Sequence, residues 1–307
     1  MIGGSGCSSY RPERAVTMMF IDGLGIGSEN PRENPMARFN PRVLCIFEST
    51  AGPVMAEGRV LPTDVRMGVA GTPQSATNQT TLFTGTNAAQ RLGRHVSGFP
   101  NGSLKEVIRQ RSLMRRLHSQ GCQVTFANAY RPAFFSNRPR WVSVTTVMCE
   151  TAGVRLRTFQ DLEQDRALYM DYTNRLLREQ GLDLPLRAPG EAARILVNLA
   201  AEYEFCLYEY FLTDLVGHRG DLEQATEVLV HLDEFLSVLV EETLPGRSLL
   251  VTSDHGNIEA MSHKGHTQNQ VATFFWGEIC EQVRDRDSIS LVEISSVIEN
   301  YLTAHQQ

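Results

Sequence analysis

The segment AVTMMFID, Ala15 to Asp22, is a nearly unbroken apolar run ending on a carboxylate. Without polar alternation it suits a strand buried on both faces, which requires helices above and below a mostly parallel sheet. Similar runs recur in CQVTFANAY from Cys122, FCLYEYFL from Phe205, SLLVTSD from Ser248 and VATFFWG from Val271. Between them lie helix-length amphipathic stretches: Ser103 to His118, with Ser103 as N-cap, Glu106 completing a capping box and Gly121 beyond the end; Asp221 to Glu242; and a last one from about Leu291. The alternation predicts an α/β fold, a doubly wound and mostly parallel central sheet with helices on both faces. Residues 1–14 read as a flexible leader and residues 15–307 as one domain. Its rhythm breaks at about 131–189, expected as a small inserted lid carrying a charged helical piece from Asp161 to Gln180.

Composition removes several classes of function. An apolar fraction of 42% excludes disorder, and a net charge of −6 argues against a basic nucleic-acid groove. The six cysteines (Cys7, Cys45, Cys122, Cys149, Cys206 and Cys280) form no CxxC pair, and Cys45, Cys122 and Cys206, in apolar surroundings, read as buried free thiols in a reducing compartment. Apolar runs are strand-sized, so no membrane partner is expected. The N-terminal stretch lacks the apolar centre of a secretory signal, which leaves the cytoplasm as the expected location.

Four segments carry the chemistry, each at the carboxyl end of an expected strand or in the loop after it, where open α/β sheets bind ligands. In FIDGLGIG, Asp22 precedes glycines spaced G-x-G-x-G; a carboxylate there would repel a pyrophosphate, so a metal ligand fits better than a dinucleotide cradle. In GTPQSATNQTTLFTGTN, Ser75 falls at or near a helix N-terminus, where free N–H groups and the dipole favour a phosphate; Ser75 or Thr77 as a plain N-cap is the commoner fate. In YFLTDLVGHRGD, Asp214 and His218 sit four positions apart, on one face of a helix. In LLVTSDHGNIEAMSHKGHT, Asp254 and His255 leave a buried strand together, with His266 and His263 competing for a later ligand role. Mixed carboxylate and imidazole donors suit two divalent ions, zinc or manganese, and not a thiolate site. Two such ions would outweigh three aspartates by one charge and draw in a phosphoryl group.

The order DG…S…DxxxH…DHG…H resembles the alkaline phosphatase superfamily of metalloenzymes, and TSDHGNIE with HTQNQV resembles its branch containing cofactor-independent phosphoglycerate mutase and phosphopentomutase. The resemblance covers roughly residues 15–130 and 205–301. It implies Asp22, Asp254 and His255 on one metal, Asp214, His218 and His266 on the other, and Ser75 as the phosphorylated nucleophile, with Thr77 as second choice. Mutases of that branch carry a large inserted domain; the insertion here is much smaller, which favours water over intramolecular transfer.

The expected function is a dinuclear metal-dependent phosphatase acting on a small phosphorylated substrate through a phosphoserine on Ser75. Asn78, Arg94, His95 and Arg131 are expected to bind substrate, and Arg138 and Arg140 stand near Arg131 with the same potential use. A phosphomutase, a phosphodiesterase or sulfatase, and a non-catalytic phospho-ligand binder are the alternatives. His118 and His231 lie on expected helices away from the site. Oligomeric state is not legible.

Overall fold

The computed structural model describes residues 12–49, 54–243 and 246–304. Most of the leader, residues 1–11, lies outside the described residues. Seven strands form one sheet in the order β3-β4-β1-β5-β6-β2-β7, where β1 is Ala15–Ile21, β2 Arg59–Asp64, β3 Val124–Phe126, β4 Phe205–Tyr210, β5 Arg247–Ser253, β6 Val271–Trp276 and β7 Ile289–Ser290. β1 pairs in parallel with both β4 and β5; among the described strands β6 alone is reversed, antiparallel to β5 and to β2.

Every β1 side chain is buried, as its composition demands. Val16, Met18 and Phe20 face one hydrophobic cluster, and Met19 and Ile21 face the other. The first cluster is covered by α1 (Ser75–Thr84), α3 (Gly102–Arg111), α4 (Leu113–Ser119), α6 (Val144–Ala152) and α12 (Leu291–Thr303). The second is covered by α9 (Pro189–Ala200) and α11 (Leu222–Glu242). The doubly wound α/β expectation therefore holds, with helices on both faces.

Some local readings change. The helix expected from Ser103 to His118 is two helices, because Ser112 adopts an extended backbone (φ −61°, ψ 139°) between α3 and α4. Its N-cap is Asn101, whose side chain accepts from the Leu104 N–H, and not Ser103. The Asp161–Gln180 piece is two short helices, α7 (Phe159–Glu163) and α8 (Arg175–Glu179); Asp161 serves in a capping box with Thr158 and binds Arg155. Of the stretch 131–189, α6 contributes Val144, Val147, Met148 and Cys149 to the core beneath the sheet.

α1 is built from residues with modest helix propensity. It holds because Thr80, Thr81 and Thr84 return their hydroxyls to the carbonyls of Ala76, Thr77 and Thr80, so a hydroxyl-rich helix is buried with these hydroxyls satisfied. Its amino end carries no side-chain cap.

Candidate metal centre

Four loops at the carboxyl ends of β1, β4 and β5 and before β6 converge on the amino end of α1. Asp22 follows β1, and Asp254 and His255 follow β5, its parallel neighbour. The sheet register therefore brings them side by side across more than 230 residues of chain. α10 (Leu212–Arg219) follows β4 on the other side of β1 and presents Asp214 and His218 one turn apart.

His255 Nε2 is the centre of the first group. It lies 3.3 Å from Asp22 Oδ1, 3.4 Å from Asp254 Oδ2 and 3.0 Å from the Ser75 hydroxyl oxygen. In the second group Asp214 stands 3.4 Å from His266 Nε2 and 3.3 Å from His218 Nε2, and the two imidazole nitrogens face each other at 3.3 Å. The rings of His255 and His266 stack at 3.7 Å, so the two groups adjoin. His263 is exposed and outside the cluster.

The donor set fits cations. The Pro73 carbonyl lies 3.0 Å from His266 Nδ1 and can only accept, so that nitrogen carries a proton and Nε2 is the ring atom directed at Asp214 and His218, where a cation would take the place of its proton. Asp22 Oδ1 is buried without a hydrogen-bond partner. Burial, followed by repulsion from Asp254 and Asp214, raises the Asp22 carboxyl well above its usual range. Burial and Asp214 likewise push Asp254 up to about 7. Burial pushes Asp214 up, but the bonds from His266 and Asn257 and the nearby His255 outweigh it and hold that carboxyl at about 2. Burial, then the neighbouring His266, depresses His255 to about 3, so its imidazole is neutral and able to ligate. For His266, burial works downward, yet Asp214 and the Pro73 carbonyl raise it overall. Several buried carboxylates facing one another are costly unless a cation joins them.

Ser75 opens α1, and its hydroxyl, not that of Thr77, faces the cluster. Thr77 is fully buried, with its hydroxyl donated to the Gln74 carbonyl and accepting from the Val96 N–H. Asn78 is not free to bind phosphate through its amide N–H groups: both are donated, to the Val65 and Asp254 carbonyls. Three residues past Ser75 on a helix packed against the sheet, it pins the strand end that carries the aspartate. His95 is held beside Arg66 and Val69, and burial lowers its pKa. Arg94 and Arg131 are exposed, and among the described residues no contact joins either to the cluster. Arg138 and Arg140 line a different cavity with α3, α4 and α6.

Several organising residues escaped the sequence reading. Gln79 donates to both Asp22 Oδ2 (3.0 Å) and Asp254 Oδ2 (3.2 Å), holding the two carboxylates together. Its position one turn after Ser75 was the available signal. Asn257 donates to Asp214 Oδ1 at 2.6 Å and fits only because Gly217 lacks a side chain: a Cβ there would sit 2.7 Å from Asn257 Cγ. Gly23 adopts φ +74° and would place a Cβ 2.9 Å from Asp214 Oδ1. Glu259 is buried and ties three loops together, accepting from Gly25 N–H (2.9 Å), Asn257 N–H (2.7 Å), the Thr267 hydroxyl (2.6 Å) and the Asn269 amide (3.1 Å). Glu209, at the end of β4, is pushed up to about 7 by burial, with Thr145 donating to it at 2.7 Å.

Residues 187–306 match the family described as the metalloenzyme superfamily, a span that includes Asp214, His218, Asp254, His255 and His266. Among curated proteins, the chain is similar to the 2,3-bisphosphoglycerate-independent phosphoglycerate mutase of Cereibacter sphaeroides, 34% identical over 94 residues, covering 28% of this chain and 19% of that protein. The mutase of the same name from Thiobacillus denitrificans is 37% identical over 84 residues, covering 25% and 16%. The chain thus spans about a fifth of the length of the curated relatives it matches. Among solved structures, the PH0037 protein of Pyrococcus horikoshii superposes with a TM-score of 0.59 at 11% identity, over 96% of this chain and 99% of the other. A cold-active alkaline phosphatase of Shewanella sp. does so with a TM-score of 0.51 at 13% identity, over 93% and 99%. At such identities the likeness is one of fold.

Proposed function

We propose that this chain is an alkaline phosphatase-like metalloenzyme that hydrolyses a small phosphomonoester through a phosphoserine on Ser75. The observation that carries this reading is the Ser75 hydroxyl 3.0 Å from His255 Nε2, at an uncapped helix N-terminus beside two adjoining carboxylate–imidazole groups. Asp22, Asp254 and His255 would hold one divalent ion and Asp214, His218 and His266 a second, zinc or manganese by donor type. Such ions supply Lewis acidity, lowering the pKa of a nearby hydroxyl and offsetting phosphate charge.

The chain's own groups do the rest. The amino end of α1 receives the phosphoryl oxygens with its free N–H groups and dipole. Ser75 Oγ forms a bond to phosphorus as the ester oxygen departs in line. Water then attacks the phosphoserine, releasing inorganic phosphate and restoring the hydroxyl. Gln79 and Glu259 keep the carboxylates and loops in register throughout, and Asn257 fixes the Asp214 carboxylate. The modest size of the stretch 131–189 supports hydrolysis over return of the phosphoryl group to a second oxygen. The names of the matched mutases support the second reading, a phosphomutase. The buried, protonated thiols of Cys122, Cys149 and Cys206 suit a reducing compartment, the cytoplasm. Among the described residues no helix is long and apolar enough to cross a membrane.

The test is p-nitrophenyl phosphate turnover by purified protein. EDTA should abolish it, Zn²⁺ or Mn²⁺ should restore it, and Ser75→Ala should remove it at any metal concentration. No turnover of any monoester with both metals supplied refutes the proposal. Phosphate moving between two oxygens of one substrate without release selects the mutase reading.

A further inference from the structure

A second cavity, of about 640 Å³, opens between α3, α4 and α6 and shares no lining residue with the metal centre. Its size falls within the roughly 300–1,000 Å³ of small-molecule sites. Lys105, Arg109, Arg115, Arg138 and Arg140 line it, against a single carboxylate, Glu150, which Arg138 already engages at 2.5 Å. In a chain of net charge −6, five cations around one cavity are a concentrated exception. Two of these cations also have carboxylate partners, Arg109 with Glu106 at 3.7 Å and Arg138 with Glu150, so the net positive charge that remains is a local attraction for an anion.

Exposed aromatic residues adjoin the lining cations. Trp141 is 51% exposed, with Lys105 Nζ 5.9 Å and Arg140 Cζ 5.2 Å from its ring centre. Phe135 is also exposed, and Arg138 lies 5.2 Å from the Phe134 ring centre. Exposed indole next to planar guanidinium groups is a stacking surface for a flat heterocycle, and the guanidinium forks match phosphate oxygens. Val142 and Val147 supply an apolar wall.

We infer that this cavity binds a nucleoside polyphosphate, with its phosphates among Arg109, Arg115 and Arg138 and its base against Trp141. The cations gather around one open cavity, which favours a single nucleotide over a strand of nucleic acid, whose backbone needs a continuous basic track. The inference is independent of the reaction at the metal centre.

The chain has two tryptophans, and Trp276 is buried with its indole N–H donated to the Met55 carbonyl, so a ligand quenching tryptophan emission reports on Trp141. Titration with ATP in EDTA, which stops turnover at the metal centre, should give saturable quenching. Tripolyphosphate should compete for the same site without quenching. Trp141→Phe should abolish the signal and weaken ATP binding, read by equilibrium dialysis, about tenfold. Arg109→Glu with Arg140→Glu, both exposed positions, should weaken it more, while p-nitrophenyl phosphate turnover with metals stays within about twofold of wild type. The proposal is overturned if ATP gives no saturable quenching, if the double variant binds ATP as wild type does, if tripolyphosphate binds as tightly as ATP, or if a single-stranded oligonucleotide binds more tightly than ATP.

Discussion

Replacing Glu259 by glutamine changes one oxygen to an amide nitrogen and leaves shape and volume alone, yet should be among the most damaging conservative substitutions in this chain. All four partners of the carboxylate are donors: two backbone N–H groups on Oε2, and a hydroxyl and an amide on Oε1. Glutamine can accept at only one oxygen. Its best arrangement keeps Gly25 and Asn257 on the carbonyl oxygen while the Thr267 hydroxyl reverses and the Asn269 amide turns. Each bond to a charged acceptor is worth roughly 1.5–3 kcal/mol, against roughly 0.5–1.5 for a neutral one. Four bonds weakened by about 1 kcal/mol apiece amount to a loss of about 4 kcal/mol. Urea unfolding in EDTA measures the stability directly. Because the same carboxylate aligns the loops carrying Asp22, His255 and His266, Zn²⁺ affinity read by competition with a chromophoric chelator should fall about 10–100-fold. A stability change under about 0.5 kcal/mol with unchanged Zn²⁺ affinity would refute the view that Glu259 organises the centre.

Further outcomes are expected. Ser75→Ala should lower phosphatase turnover by at least about 10³-fold while leaving the urea midpoint close to wild type. Gly217→Ala, favourable by helix propensity, should instead weaken metal binding, because the new Cβ would lie 2.7 Å from Asn257 Cγ and displace the group that holds Asp214; an unchanged Zn²⁺ titration would count against this packing. Burial raises Glu209 from 4.5 to about 7. Between those values the folded state keeps a proton that the unfolded chain has released, so stability falls as pH rises across the window, by about 3 kcal/mol at most. Glu209→Gln in EDTA should lose that part of the slope; identical pH profiles would exclude it. Zn²⁺ at about one hundred times its dissociation constant should stabilise the metal-free protein by about 2.7 kcal/mol, seen as a raised melting temperature.

What could be read from the order of residues was whatever depends on local spacing. β1 announced burial on both faces because its side chains alternate across the sheet and all of them are apolar or small. Asp214 and His218 announced a shared helical face because 3.6 residues make a turn. Asp22 and the Asp254–His255 pair stood at strand ends, where a parallel sheet gathers its ligands. The break at Ser112, the core role of α6 and the strand β2 were not legible, since each depends on neighbours distant in the chain. The same holds for Gln79 reaching Asp22 and Asp254 and for Glu259 reaching Gly25, separations of 57, 175 and 234 residues. Which hydroxyl faces the metal groups, Ser75 or Thr77, turned on how α1 is rolled against the sheet. That roll places the Thr77 hydroxyl between the Gln74 carbonyl and the Val96 N–H, and leaves Ser75 beside His255. Periodicity says which residues share a face; only the packed neighbours say what that face meets.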